Sequence, residues 1–177
     1  MIVAAVRELP NAEKILARVP PESLATLEDC YGSSWVPARP YDDVAEALLA
    51  EVGLAGICRF FEGQATSWSE SKLLGPIFKA GQRIFGLTPA GQLKWLGHGW
   101  RVTTRGMGEL CTREWEDGLE VEVTGLPPSH RIPRMVASTE GSIRGLVLGY
   151  DAIPLIETDS SELAQGRIVY RVRWTMD

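Results

Sequence analysis

The chain has 177 residues, 45% of them hydrophobic and 23% charged, a length that buries about 70% of the unfolded surface around one core. Its net charge of −5 removes the general attraction to phosphate on which non-specific nucleic-acid binding depends. No stretch reaches the roughly 20 apolar residues of a bilayer span, and Arg7 and Glu8 fall where a secretory signal is apolar. The expectation is a cytoplasmic module with no membrane span and no nucleic-acid partner. Cys30, Cys58 and Cys111 have no paired spacing, and His98 and His130 are the only histidines. A disulfide framework and a histidine or cysteine metal site are both excluded, and three buried thiols are expected.

Taken in order, Met1 to Val6 reads as a short apolar strand. Ala12, Ile15, Leu16 and Val19 have helical spacing, closed by Pro20 and Pro21, and an apolar patch follows at Leu24 to Leu27. Tyr31 to Pro37 reads as a loop. Tyr41, Val44, Leu48 and Val52 mark a helix with Gly53 as its C′ residue, and Leu54 to Phe61 a second, short helical segment. Ser69 or Ser71 caps a helix striped by Leu73, Leu74, Ile77, Phe78 and Ile84. Thr88-Pro89 then starts a helix running to about Thr104.

From there the periodicity changes. Leu110 to Trp115 and Leu119 to Thr124 flank Glu116-Asp117-Gly118 and predict an antiparallel hairpin, with Glu120 and Glu122 on its solvated face. Leu126-Pro127-Pro128 ends it, Pro133 to Leu148 forms a helix capped by Gly149, and Ile153 to Thr158 with Arg167 to Trp174 forms a second hairpin. The fold class is α+β: several N-terminal helices packed on a small antiparallel sheet of two hairpins separated by a helix. We expect one domain over 1–177, with a helical part to about 105 and a helix-hairpin part from about 106 to 177.

Trp95, His98 and Val102 share one face of the Pro89 helix, and Leu93, Leu96 and Trp100 another. Core packing accounts for two such faces; a ligand lining of Trp95, His98, Trp100 and Val102, with Phe78 from the preceding helix, is the functional alternative. Arg101 and Arg105 offer a cationic mouth to a carboxylate or phosphate, against the usual pairing with surface acids. Glu109, Glu114, Glu120 and Glu122, or Tyr150 and Tyr170, are the groups available for acid-base chemistry. Arg171 and Arg173 answer Glu120 and Glu122 across strands if those strands are neighbours. No Gly-x-Ser-x-Gly elbow or phosphate loop is present.

The element order, together with Trp35-Val36-Pro37, Gly81-Gln82-Arg83-Ile84-Phe85, the hairpin from Cys111 to Val123, Arg144-Gly145-Leu146 and Tyr170-Arg171-Val172-Arg173-Trp174, resembles the ligand-binding superfamily of haem nitric-oxide-binding domains, vinyl-reductase-type sensors and trafficking-complex subunits. Within it the chain is most similar to an uncharacterised paralogous family of myxobacteria, from about residue 22 onward. The resemblance implies an apolar cavity between helices and sheet, and a dimer. Its haem-binding branch implies a proximal histidine on the helix before the first hairpin, which His98 matches, and a Tyr-x-Ser-x-Arg motif after it. Ser142-Ile143-Arg144 is the local match and lacks the tyrosine. The trafficking branch makes Cys58 its candidate for acylation.

The functional expectation is therefore a non-catalytic regulatory or assembly module that binds an apolar small molecule, a protein partner or a second copy, and that carries no cofactor. The alternatives are a haem-based gas sensor using His98 and an enzyme with carboxylate or tyrosine groups in a hydrophobic pocket.

Overall fold

A computed structural model describes residues 2–30, 35–66, 68 and 75–176, without the side chains of residues 77, 78 and 85. Helices α1 (Ile2–Arg7), α2 (Ala12–Leu16), α3 (Pro21–Asp29), α4 (Ala38–Thr66), α5 (Gly75–Phe85) and α6 (Pro89–Thr103) come first. Strands β1 (Glu109–Trp115) and β2 (Gly118–Thr124), helix α7 (Pro133–Leu148) and strands β3 (Ala152–Asp159) and β4 (Ile168–Met176) follow. The strands form one antiparallel sheet in the order β1-β2-β4-β3, so the fold is α+β. The chain condenses into two units, Met1–Ile57 and Cys58–Asp177.

In the first unit Val6, Ile15, Val19, Val44 and Leu48 are buried, each contributing about 1.5–3 kcal/mol of transfer free energy. The start is helical, correcting the strand read there. Ile2, Val3 and Val6 stand three and four residues apart and are buried together on α1, so packing outweighs their β-branched preference. Pro21 opens α3 at its first position as well as closing what precedes it. The Ser23 hydroxyl donates to Asp43 at 2.6 Å and Arg39 Nε at 2.7 Å; the serine bond first, then the arginine, hold the Asp43 carboxyl below its usual range. Gly53 interrupts α4 with φ 67° and ψ 180°, a positive-φ conformation outside the αL geometry of a C′ residue that essentially only glycine adopts.

The second unit is built on the sheet. Leu119 lies opposite Val172, Val121 opposite Tyr170 and Val123 opposite Ile168, and this face packs with Leu93, Leu126, Ile143 and Val147 into the core. The Tyr170 hydroxyl, fully buried, donates to the Val136 carbonyl at 3.0 Å. The other face is ionic. Glu120 lies between Arg113 and Arg171 in register and pairs with both. It is 4% exposed, so the solvated position expected for it is corrected: the arginine stems cover the carboxylate while their heads remain in water. Arg171 and Arg173 both lie 5.5 Å from the Trp115 ring. Arg173 answers Glu157 of β3 at 2.9 Å, and Glu122 takes Arg167.

Gly149 caps α7 as read from the sequence, and two other details differ. Glu116, and not Gly118, takes positive φ in the first hairpin; Gly118 pairs with Trp115, and a Cβ there would stand 2.1 Å from the Val172 carbonyl oxygen. Ile84, expected in a core stripe, is 66% exposed. The proposed caps Ser69 and Ser71, with Leu73 and Leu74, lie outside the described residues.

Candidate ligand-binding face on helix α6

The Thr88 hydroxyl caps α6 by accepting from the Gly91 amide at 3.1 Å, and Pro89 fills the first helical position. At the other end the Thr104 hydroxyl donates back to the Trp100 carbonyl at 2.8 Å. Gly97 fixes the helix against β1: a Cβ there would lie 2.5 Å from the Leu110 carbonyl oxygen. That close approach turns Leu93, Leu96 and Trp100 into the core. The Trp100 indole donates to the Gly108 carbonyl at 3.2 Å. The space between α6 and the sheet, where an apolar cavity was expected, is filled by these side chains together with those of β2 and β4.

The opposite face carries His98. Its imidazole is exposed and stacks on Trp95 with ring centroids 4.2 Å apart and planes at 29°. Trp95 is itself backed by α5, where a Cβ on Gly81 would meet the indole at 2.6 Å. The glycine therefore sets the tryptophan, and the tryptophan sets the histidine. Val102 beside them is 43% exposed. Of the residues read as a ligand lining, Trp95, His98 and Val102 share this outward face, Trp100 belongs to the core face, and the Phe78 side chain lies outside the description.

Successive residues turn by about 100° around an α-helix, so Lys94 and Arg101 flank His98 on one side and Trp95 and Val102 on the other. His98 stands on the border between a cationic strip and an apolar one. Lys94 is committed to Glu114 at 2.9 Å, and this bond holds the Glu114 carboxyl below its usual range. Arg101 is exposed and is in none of the hydrogen bonds or ion pairs formed among the described residues.

A half-open pocket of about 40 Å³ lies elsewhere in this unit, lined by Thr66, Gln82, Gln92, Gly145, Leu146 and Tyr150 among others. Gln82 donates to the Tyr150 hydroxyl at 3.0 Å and that hydroxyl to Gln92 at 2.9 Å. Its volume suits a few waters. Tyr150 is thus tied into an amide network, and burial pushes the Tyr170 hydroxyl well above its usual range.

The cysteines depart from expectation. Cys30 and Cys58 are half-buried and Cys111 is exposed on β1. Burial, then the nearby Glu140 carboxylate, pushes the Cys58 thiol up, which disfavours the thiolate. Glu140 is held by Arg144 at 2.9 Å and Thr158 at 2.9 Å. Among the described residues no group of three or more His, Cys, Asp and Glu is arranged to hold a metal ion, and no helix is long and apolar enough to cross a membrane.

This architecture, helices leading into a hairpin-helix-hairpin sheet, is that of the haem nitric-oxide-binding, or H-NOX, domains. An Fe(II) unliganded H-NOX protein from K. algicida superposes with a TM-score of 0.66 over 99% of this chain and 96% of its own, at 12% identity. A mutant H-NOX protein from S. oneidensis in the Fe(II) ligation state gives 0.66 over 99% and 96% at 9% identity, and a mutant T. tengcongensis H-NOX 0.64 over 98% and 93% at 12%. No family sequence model matches the chain, and no curated protein matches it in sequence. At such identities the likeness is one of fold. It overturns the expectation of a fold without cofactor, because the solved proteins sharing it are named for haem and Fe(II) ligation.

His98, an outward imidazole held by stacking on Trp95, is the residue that would hold an iron porphyrin, while the residues at the propionate motif depart from the haem-binding pattern. Of the propionate motif, Ser142 donates to the Ser138 carbonyl at 3.0 Å and Arg144 is spent on Glu140. A second Ser-x-Arg spacing, missed in the sequence, is Ser129-His130-Arg131 directly after the first hairpin, with Pro127 where a tyrosine would stand. The Arg131 guanidinium is also committed, to the carbonyls of Leu126 at 2.8 Å and Ala164 at 2.9 Å.

Proposed function

We propose that this chain is a haem-based gas-sensing domain in which His98 supplies the axial donor. The observation that carries the reading is the His98 imidazole itself: exposed on the helix before the first hairpin, oriented by Trp95, in the architecture of the H-NOX proteins. Bound haem would supply the iron that takes a diatomic gas; the chain would hold the iron through His98 and cover one face of the ring with Trp95 and Val102. As a sensor it would act in signalling, as a cytoplasmic protein and through a dimer or a protein partner, within the myxobacterial paralogous branch of the superfamily. The missing Tyr-x-Ser-x-Arg set means that its propionate contacts come from other residues. Absorption spectroscopy after haem reconstitution tests the reading: a Soret band characteristic of histidine ligation is expected, shifted or lost in His98→Ala. Identical spectra from the two proteins would refute it.

A further inference from the structure

We infer that Arg101 is the carboxylate-binding residue of the α6 face, so that the ligand taken there is a planar apolar molecule with an anionic edge; this rests on the reading of His98 as the axial donor. Three observations converge. Arg101 follows His98 by three residues, so the two side chains leave the helix on the same side, roughly 5–6 Å apart at their Cβ atoms. Arg144 and Arg131, in the two Ser-x-Arg sequences that would have served, have their guanidinium groups bound to Glu140 and to backbone carbonyls. Arg101 is exposed and bonds to none of the described residues.

The face is also two-sided in the way such a ligand is. Trp95 and Val102 supply apolar area on one flank of His98, and Arg101, beside a Lys94 already neutralised by Glu114, supplies the charge on the other. A guanidinium presents paired N–H groups in the spacing of a carboxylate, where an ammonium offers a point charge. A fully apolar ligand would leave that charge unanswered, and a small anion would leave Trp95 and Val102 uncovered.

A ligand-and-variant cycle tests this. Quenching of the protein's tryptophan fluorescence is titrated with zinc protoporphyrin IX and with its dimethyl ester, whose carboxylates are blocked, on the full chain and on Arg101→Gln, Arg101→Lys and His98→Ala. The expected result is a loss of about tenfold in affinity for the diacid in Arg101→Gln, from one lost charge-assisted contact, partial retention in Arg101→Lys, and no change for the ester. His98→Ala is expected to weaken both ligands alike. Equal loss of diacid and ester in Arg101→Gln, or loss of neither, overturns the assignment of Arg101 while leaving His98 standing. If the unaltered chain binds neither porphyrin, the reading of His98 fails and the assignment falls with it.

Discussion

The two faces of α6 obey different physics. Toward the sheet, Leu93, Leu96 and Trp100 meet a packed core, where each side chain is fixed by volume and every atom removed is felt. Away from it, His98, Arg101 and Val102 are exposed, and packing sets little beyond the stacking of His98 on Trp95. A helix that needed only to be stable would place any soluble residues on the second face. The difference teaches that the inward residues explain why α6 is where it is, and that the outward ones are free of that constraint.

Substitutions separate the two faces, and the largest effect belongs to the inward one. Leu93, with no exposed surface, when replaced by Ala is expected to lose about 2–5 kcal/mol, read as a lower urea midpoint. Gly97→Ala gains helix propensity of about 1 kcal/mol but drives a Cβ to 2.5 Å from the Leu110 carbonyl oxygen. The clash wins, and a net loss of about 1–2 kcal/mol is expected; a stabilised variant would show that α6 does not rest on β1 through this glycine.

Tyr170→Phe removes the bond to Val136 and is expected to cost about 1 kcal/mol at neutral pH. The same residue gives the core a pH signature. Burial favours its neutral phenol and raises the folded pKa, so the native state retains a proton that the unfolded chain releases above about pH 10. Stability from this group is complete below that pH and declines as pH rises from there toward the raised folded value. Alkaline unfolding curves check this, and Tyr170→Phe is expected to flatten the decline. Smallest of all, His98→Ala is expected to shift the urea midpoint by less than about 0.5 kcal/mol in equivalent stability while abolishing porphyrin ligation. A large loss of stability would make His98 a structural residue.

How far the sequence reveals this division follows from the same physics. Thr88-Pro89, the alternation of Leu119, Val121 and Val123, and the closing Ile168, Tyr170, Val172 and Trp174 are strong local signals, and the elements they mark form a single sheet packed with α6 and α7. The spacing of Trp95, His98 and Val102 was legible as a shared face. Which way that face points was not, because direction is set by Gly97 against Leu110 and Gly81 against Trp95, contacts between residues distant in the chain. The Glu120 carboxylate reads as solvated for a similar reason: its burial depends on arginines that approach from β1 and β4. The expectation of no cofactor rests on the missing Tyr-x-Ser-x-Arg motif, a local signal, whereas the likeness to haem proteins lies in the architecture as a whole. Over the stretch read as a strand, a β-branched composition conceals the helix Ile2–Arg7.

The most direct test of the outward face uses the chain's two histidines as probe and control. His130 is 8% exposed and contacts Ser129 at 3.0 Å, while His98 is open to solvent. In NMR spectra of protein labelled with nitrogen-15 at histidine, addition of zinc protoporphyrin IX is expected to shift the His98 ring resonances by metal coordination and porphyrin ring current and to leave those of His130 in place. Movement of His130 alone, or of neither histidine, would contradict the assignment of the ligand site to α6.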